Sequence, residues 1–179
     1  MNSSWTRGDW MQTHSGKKFF PLDPDPDSIC IEDIAHALAH ICRYGGHVNT
    51  HYSVAQHSVL VASCLPKELA LTGLLHDATE AYLGDVVRPL KVNLPDYQQI
   101  EDNLSIVIGG KFGVQLLPLP AEVKEMDTRI LTNERSALFD HHLSWYSDAL
   151  PPAPLNTFIR PWTAQTAKAT FLRTFEQLS

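Results

Sequence analysis

Residues 73–91 read GLLHDATEAYLGDVVRPLK: a His-Asp doublet at His76 and Asp77, further acids at Glu80 and Asp85, and two bases, Arg88 and Lys91, around Pro89. An imidazole and two carboxylates in so short a segment form a mixed nitrogen and oxygen donor set. That set suits Zn²⁺, Mn²⁺, Fe²⁺ or Co²⁺ better than Mg²⁺ or Ca²⁺, which take mainly oxygen. On a helix, adjacent residues point about 100° apart. His76 and Asp77 therefore reach one ion only when it sits over the gap between them. Glu80, four on from His76 and three on from Asp77, shares a face with each. Taken alone, a His-Asp pair on a helix is ordinarily a surface pair or a capped end. Here the doublet follows LTGLL, an apolar run expected inside, and a charged cluster at the edge of a core needs a partner. His57, in SVAQHSVLVA, adds a second imidazole. With Val54, Leu60 and Val61 three and four residues away it shares their core-facing side, where by itself it reads as a satisfied core histidine.

These residues must be carried by helices. IEDIAHALAHICRY, residues 31–44, has apolar residues at Ile31, Ile34, Ala35, Leu38 and Ile41, which is helical spacing, with Glu32 and Asp33 in the first turn and Asp27 or Ser28 as cap. Gly45-Gly46 ends it. YSVAQHSVLVASCL predicts a second helix, capped by Ser53 and stopped by Pro66. KELALTGLLHDATEAYL predicts a third, running through the doublet. PDYQQIEDNLSIVIGGKF is a fourth, ending at Gly109-Gly110. PAEVKEMDTRILTNERSALFDHHL is a long fifth, PPAPLNTFIRP an extended connector, and TAQTAKATFLRTFEQL a last helix. The expected class is all-α, with residues 1–28 as a short irregular or extended N-terminal segment, rich in Gly, Pro, Asp and Trp, and residues 29–179 as a single domain. Trp5, Trp10, Trp145 and Trp162 are candidates to anchor the terminal segments or to fill an oligomer interface. His141-His142 reads as surface.

Composition limits the partners. The chain has 179 residues, 14 Lys and Arg against 20 Asp and Glu, and a net charge of −6. A broad grip on nucleic acid or an anionic membrane needs a basic face, so neither is expected. A small anionic substrate stays open, because a metal or a few local bases reverse the field within one pocket. Three isolated cysteines, Cys30, Cys42 and Cys64, fit a reducing, cytoplasmic compartment. The opening stretch has no apolar signal-peptide core, and no run approaches the roughly 18 apolar residues of a membrane helix. His36 and His40, and again His47 and His51, have the H-x3-H spacing that can bind zinc. No acid or cysteine clusters with them in sequence, although His51 is a candidate to line a pocket.

The pattern H…HD…D, with its first histidine inside a helix and the doublet nineteen residues on, resembles the signature of the HD-domain metal-dependent phosphohydrolases. HICRYGGH…YSVAQHSVLVA…LLHDATEAYLGDVVRPLK resembles their small nucleotide-cleaving branch, which includes bacterial 5′-deoxynucleotidases and phage dATP triphosphohydrolases. The likeness covers roughly residues 31–140 and is most specific over 43–91. It implies an HD-type helical bundle, in agreement with the helix reading. It also implies that His57, His76, Asp77 and Asp127 hold a divalent transition metal (Co, Mn, Zn or Fe), with Mg accompanying a triphosphate, and leave positions for water and a phosphate oxygen. Glu134, seven residues past Asp127, lies on the same helical face. By the same resemblance Asp77 orients the water and Glu80 is the general acid or base; the alternative for Glu80 is a solvated helix face. Asp85 falls where the family has an acid near the sugar, or caps a short helix starting at Val86. Arg43 falls where the family's arginine reaches the phosphate, or is a helix C-terminal residue favoured by the dipole. Tyr44 stacks on base or sugar, or packs. Arg88, Pro89 and Lys91 form a channel for further phosphates, or a solvated loop.

The reaction implied is hydrolysis between the nucleoside 5′-oxygen and the α-phosphorus. A monophosphate gives nucleoside and phosphate, as in a 5′-deoxynucleotidase; a triphosphate gives nucleoside and triphosphate. Arg88 and Lys91 lean the expectation toward a dATP-type triphosphohydrolase acting in the cytoplasm (the host's, for a phage protein) as a homo-oligomer, a dimer or a larger ring such as a hexamer. Competing expectations are another HD activity, on a signalling nucleotide, and a non-catalytic protein whose metal ties helices together. Structural sites are usually closed by four ligands, often cysteines. The absence of cysteine and the spare acid at Glu80 favour catalysis.

Overall fold

The computed structural model describes residues 7–141, 143 and 153–179, and the regular structure in them is nearly all helical. The helices are α1 (Ile31–His40), α2 (Val54–Ser63), α3 (Lys67–Leu75), α4 (Glu80–Leu83), α5 (Arg88–Lys91), α6 (Pro95–Phe112), α7 (Ala121–Leu138) and α8 (Ala164–Leu178). The expected all-α class holds. A two-stranded hairpin, β1 (Met11–Gln12) against β2 (Lys18–Phe19), supplies the extended N-terminal piece, antiparallel with Met11 opposite Phe19. No helix among the described residues is long and apolar enough to cross a membrane.

Helix α2 is the centre. Its residues are apolar or small on nearly every side, and a helix of that kind is buried all round. It packs against α1, α3, α7 and α8, and Ser53 caps it as expected, accepting from the Gln56 amide at 3.1 Å. One apolar cluster, including Ile34, Leu38, Leu74, Leu75, Ile108 and Phe171, lies on one side of α2. A smaller one, Val61, Val123, Ile130 and Leu155, seats α7 on the other. Gly73 controls how closely α3 approaches: a Cβ there would lie 2.3 Å from Leu65 Cδ1 and 3.4 Å from Ala62 Cα. The N-terminal segment enters the same core. Phe19 is fully buried and stacks on Tyr82 at 4.2 Å, and the amide of Ser15 donates to Asp33 of α1 at 2.6 Å. Trp162 packs half-buried against the core. Trp10 is exposed, with the Lys18 ammonium 4.5 Å from its ring centre. Trp5, Trp145 and His142 lie outside the described residues.

Several boundaries differ from expectation; α7, for one, ends at Leu138 and not at Leu143. Helix α1 stops at His40, not at Tyr44, because Cys42 bridges to Ser53 and the Arg43 amide donates to Tyr52 O at 2.9 Å. Its N-cap is Cys30, without a side-chain capping bond; Asp25 caps a preceding 3₁₀ turn instead. The expected third helix breaks at the doublet. There the i→i+3 bonds Ala78 N–Leu75 O and Glu80 N–Asp77 O, both 3.0 Å, tighten the chain into a 3₁₀-like turn before α4. Helix α6 runs through Gly109-Gly110 to Phe112, because Gly113 supplies the left-handed C-cap (φ 70°).

Candidate metal centre and cleft

Three elements bring the proposed ligands to one point. His57 comes from the buried face of α2, His76 from the C-cap of α3, and Asp127 from α7. Among the described residues, His57, His76 and Asp127 are the group that could hold a metal ion, each offering an atom within 4.8 Å of the others. The two Nε2 atoms face each other at 3.3 Å. Asp127 Oδ1 lies 3.1 Å from His57 Nε2 and 3.9 Å from His76 Nε2. Asp77, the fourth expected ligand, is not in that group, but its Oδ2 lies beside it, 3.2 Å from His76 Nε2 and 3.6 Å from His57 Nε2.

The imidazole tautomers follow from their other nitrogens. His57 Nδ1 meets Glu134 Oε1 at 2.7 Å and His76 Nδ1 meets the carbonyl of Gly73 at 2.7 Å. Both partners only accept, so both Nδ1 atoms carry the proton and both Nε2 lone pairs point at the shared space. Two lone pairs with two carboxylates beside them call for a cation between them. Burial alone lowers the pKa of both imidazoles, yet the acids around them outweigh it and raise both, His57 through Glu134 and Asp127, His76 through Asp77 and Asp127. The same field favours a divalent ion. Three of the five separations, 3.1–3.3 Å, also match one: ligand bonds of about 2.0–2.2 Å set neighbouring donors about 3–3.5 Å apart. The outer carboxylate and carbonyl are the kind of support that orients ligating histidines.

Glu134 is completely buried and ties this centre to the segment after α1. Besides His57 it accepts from Tyr52 Oη at 2.9 Å and from Tyr44 Oη, and it pairs with Arg43 at 3.4 Å. Despite burial, Arg43 and His57 hold its carboxyl down at about 2. Tyr44 has a left-handed backbone (φ 59°) ahead of Gly45 and Gly46, a conformation that is uncommon for a non-glycine residue. Its ring meets Phe139 edge-on at 5.3 Å.

A cleft of about 1210 Å³ opens beside the centre, walled by Arg43, Tyr44, Asp77, Glu80, Asp85, Arg88, Pro89, Lys91 and Asp127 among others. All the substrate-contacting candidates thus face one space. Arg43 is largely buried between Asp77 (3.5 Å) and Glu134 (3.4 Å), its Nε without a hydrogen-bond partner. Glu80 Oε2 is likewise buried without one. Burial, then the charges of Asp77 and Asp85, raise Glu80 well above the usual carboxylate range. Burial also raises Asp85, on the cleft wall. Asp85 caps no helix, since α5 begins at Arg88 with Val87 as its N-cap. Lys91 is ion-paired with Glu101 at 2.5 Å.

The other histidine pairs do not converge as ligands. His36 stacks between His14 (3.5 Å) and His40 (4.3 Å). His47 lines the cleft, whereas His51 turns its Nε2 to Ala39 O at 3.2 Å. Sequence reasoning missed Tyr52, the Gly73 carbonyl and Glu101. The first two act through pairings that sequence spacing does not display. Glu101 lies on α6, outside the segment where the motif residues cluster.

Fold and site define a class: an all-α protein with a candidate histidine–aspartate metal centre at the wall of a cleft. No family model matches the chain. It is 38% identical over 172 residues, 95% of this chain and 96% of the relative, to the uncharacterized protein YfdR of Escherichia coli K12, and it belongs to that protein's family. It is also 38% identical over 125 residues to an uncharacterized protein of Rhodobacter capsulatus, covering 64% of this chain and 63% of that one.

Proposed function

We propose that the chain is an HD-type phosphohydrolase that cleaves deoxynucleotides between the 5′-oxygen and the α-phosphorus, with a divalent metal held by His57, His76, Asp77 and Asp127. The observation that carries this reading is the pair of Nε2 lone pairs facing each other at 3.3 Å beside a cleft that also holds Glu80 and Arg43. When bound, a divalent ion would polarise the phosphate and acidify a water.

The remaining work falls to the side chains. Glu80, whose carboxyl is raised well above the usual range by burial and by the charges of Asp77 and Asp85, is suited to give a proton to the leaving 5′-oxygen. Arg43, held through its Nη atoms by Asp77 and Glu134, keeps its unpartnered Nε as a donor for a phosphate oxygen. Asp85 on the same wall is placed to accept from a sugar hydroxyl. Tyr44, Leu131 and Phe139 give the cleft an apolar and aromatic side for a base.

Phosphate number turns on Lys91. A triphosphate needs positive charge beyond the first phosphate, and Lys91 is already paired with Glu101. Besides Glu80, five carboxylates against three Arg and Lys residues line the cleft. These observations favour a deoxynucleoside monophosphate. The second reading, a triphosphohydrolase, rests on Arg88, which faces the cleft without an ion-pair partner closer than 4.0 Å among the described residues.

Anion-exchange analysis of products from dAMP and dATP, with Mn²⁺ or Co²⁺, with Mg²⁺ and with chelator, tests the proposal. Deoxyadenosine and phosphate from dAMP support it. Deoxyadenosine and triphosphate from dATP replace it with the second reading. No product from either substrate, with metal bound, overturns both in favour of a structural metal.

A further inference from the structure

Glu101 on α6 lines the cleft and makes two contacts with the motif segment. Its Oε1 receives Lys91 Nζ at 2.5 Å and Thr79 Oγ1 at 3.5 Å. Thr79 immediately precedes Glu80, so the Glu101–Lys91 pair stands next to the proposed acid. Neither partner is a loose surface charge: the side chains are 15% and 30% exposed. The lysine is held further by its own backbone, whose carbonyl accepts from Gln98 Nε2 at 2.7 Å. Its ammonium lies 5.9 Å from the Tyr97 ring centre. Asp102, beside Glu101 in sequence, adds a further carboxylate to the same wall.

Every phosphate beyond the first brings more negative charge to this region. With Lys91 cancelled by Glu101, the added charge meets Glu101 and Asp102 and is repelled. We propose that Glu101 is the specificity-determining residue that restricts the cleft to a single phosphate, by withholding Lys91 from a longer chain. This rests on the nucleotide reading of the site and deepens it.

The test reads a ratio. In a Glu80→Gln background, which slows turnover, Kd for dAMP and for dATP is measured by calorimetry with Mn²⁺ in excess over nucleotide. The series is the background alone, with Glu101→Gln, and with Glu101→Gln and Lys91→Gln together. Glutamine keeps an oxygen for Thr79, and thermal unfolding reports whether each variant folds. Glu101→Gln is expected to shift the Kd ratio toward dATP by about tenfold or more, the scale of one hydrogen bond to a charged group. Removing Lys91 as well should abolish the shift. An unmoved ratio, or the same shift without Lys91, overturns the proposal, as does failure of either nucleotide to bind any variant. A ratio that moves as expected, with no hydrolysis of either nucleotide by the wild type, leaves the gate standing and refutes the reaction instead.

Discussion

His57 Nδ1 and Glu134 Oε1 lie 2.7 Å apart, although 77 residues separate them in the chain. One carboxylate, fully buried on α7, decides which nitrogen of the central histidine carries the proton, and so aims its Nε2 at the site. Glu134→Gln removes the charge and lets the amide present a donor to Nδ1, which favours the wrong tautomer. We expect metal affinity to fall about 10–100-fold, the usual effect of losing such a partner. Titration with Mn²⁺ or Zn²⁺ checks it; unchanged affinity in a folded variant would show that Glu134 serves only packing.

Asp77 and Glu80 stand three residues apart and should separate in their effects. Asp77→Ala is expected to strip metal and activity together, since its Oδ2 sits 3.2 Å from His76 Nε2. Glu80→Ala should leave metal content and folding intact and lower turnover about 10²–10⁴-fold. Metal analysis and unfolding curves distinguish the two. Full metal occupancy in Asp77→Ala would refute its assignment as a ligand, and an unfolded Glu80→Ala would favour a structural metal.

Neighbouring glycines of α6 should respond with opposite signs. A Cβ at Gly109 would meet the backbone carbonyl of Val114 at 2.7 Å, whereas one at Gly110 has nothing within 4 Å. Gly109→Ala should destabilise by about 1–3 kcal/mol, since a backbone oxygen does not move aside as a side-chain tip does. Gly110→Ala should stabilise by up to about 1 kcal/mol through helix propensity. Urea unfolding of both variants reads the contrast.

Asp33 sets a pH dependence away from the metal centre. Burial raises its pKa, but hydrogen bonds from Cys30 and Ser15 outweigh burial, and the net shift lies below its ordinary 3.8. A carboxyl depressed in the folded state contributes stability in full above its unfolded pKa and loses it as pH falls through the folded value. Asp33→Asn should therefore cost about 1–3 kcal/mol at neutral pH. The difference from wild type should shrink below pH 3.8. A difference that does not change with pH would remove Asp33 from this role.

How much of this was legible beforehand depends on how local the cause is. Periodicity located α2 and α6 closely, because a buried or half-buried helix writes its packing into successive residues. The motif residues were legible as candidates for the same reason: His76, Asp77 and Glu80 lie within five positions, and His57 sits among apolar neighbours. The break at His76 was not legible. LTGLLHDATEAYL has helical spacing throughout, and the tightening into i→i+3 bonds follows from how the turn is held against its neighbours. The early end of α1 was hidden in the same way, since it depends on Cys42 pairing with Ser53 across a loop.

The sequence by itself determined the all-α class, the order of most helices and the donor types available for a metal, because helical spacing and residue chemistry are local properties. Only the tertiary structure decided that Glu134 anchors His57, that Tyr44 and Tyr52 converge on the same carboxylate, and that Glu101 occupies Lys91. Each of these is a contact between separate elements, made by the packing of α6 and α7 around the site. The spacing of residues along one helix carries no record of which carboxylate another helix brings to meet it.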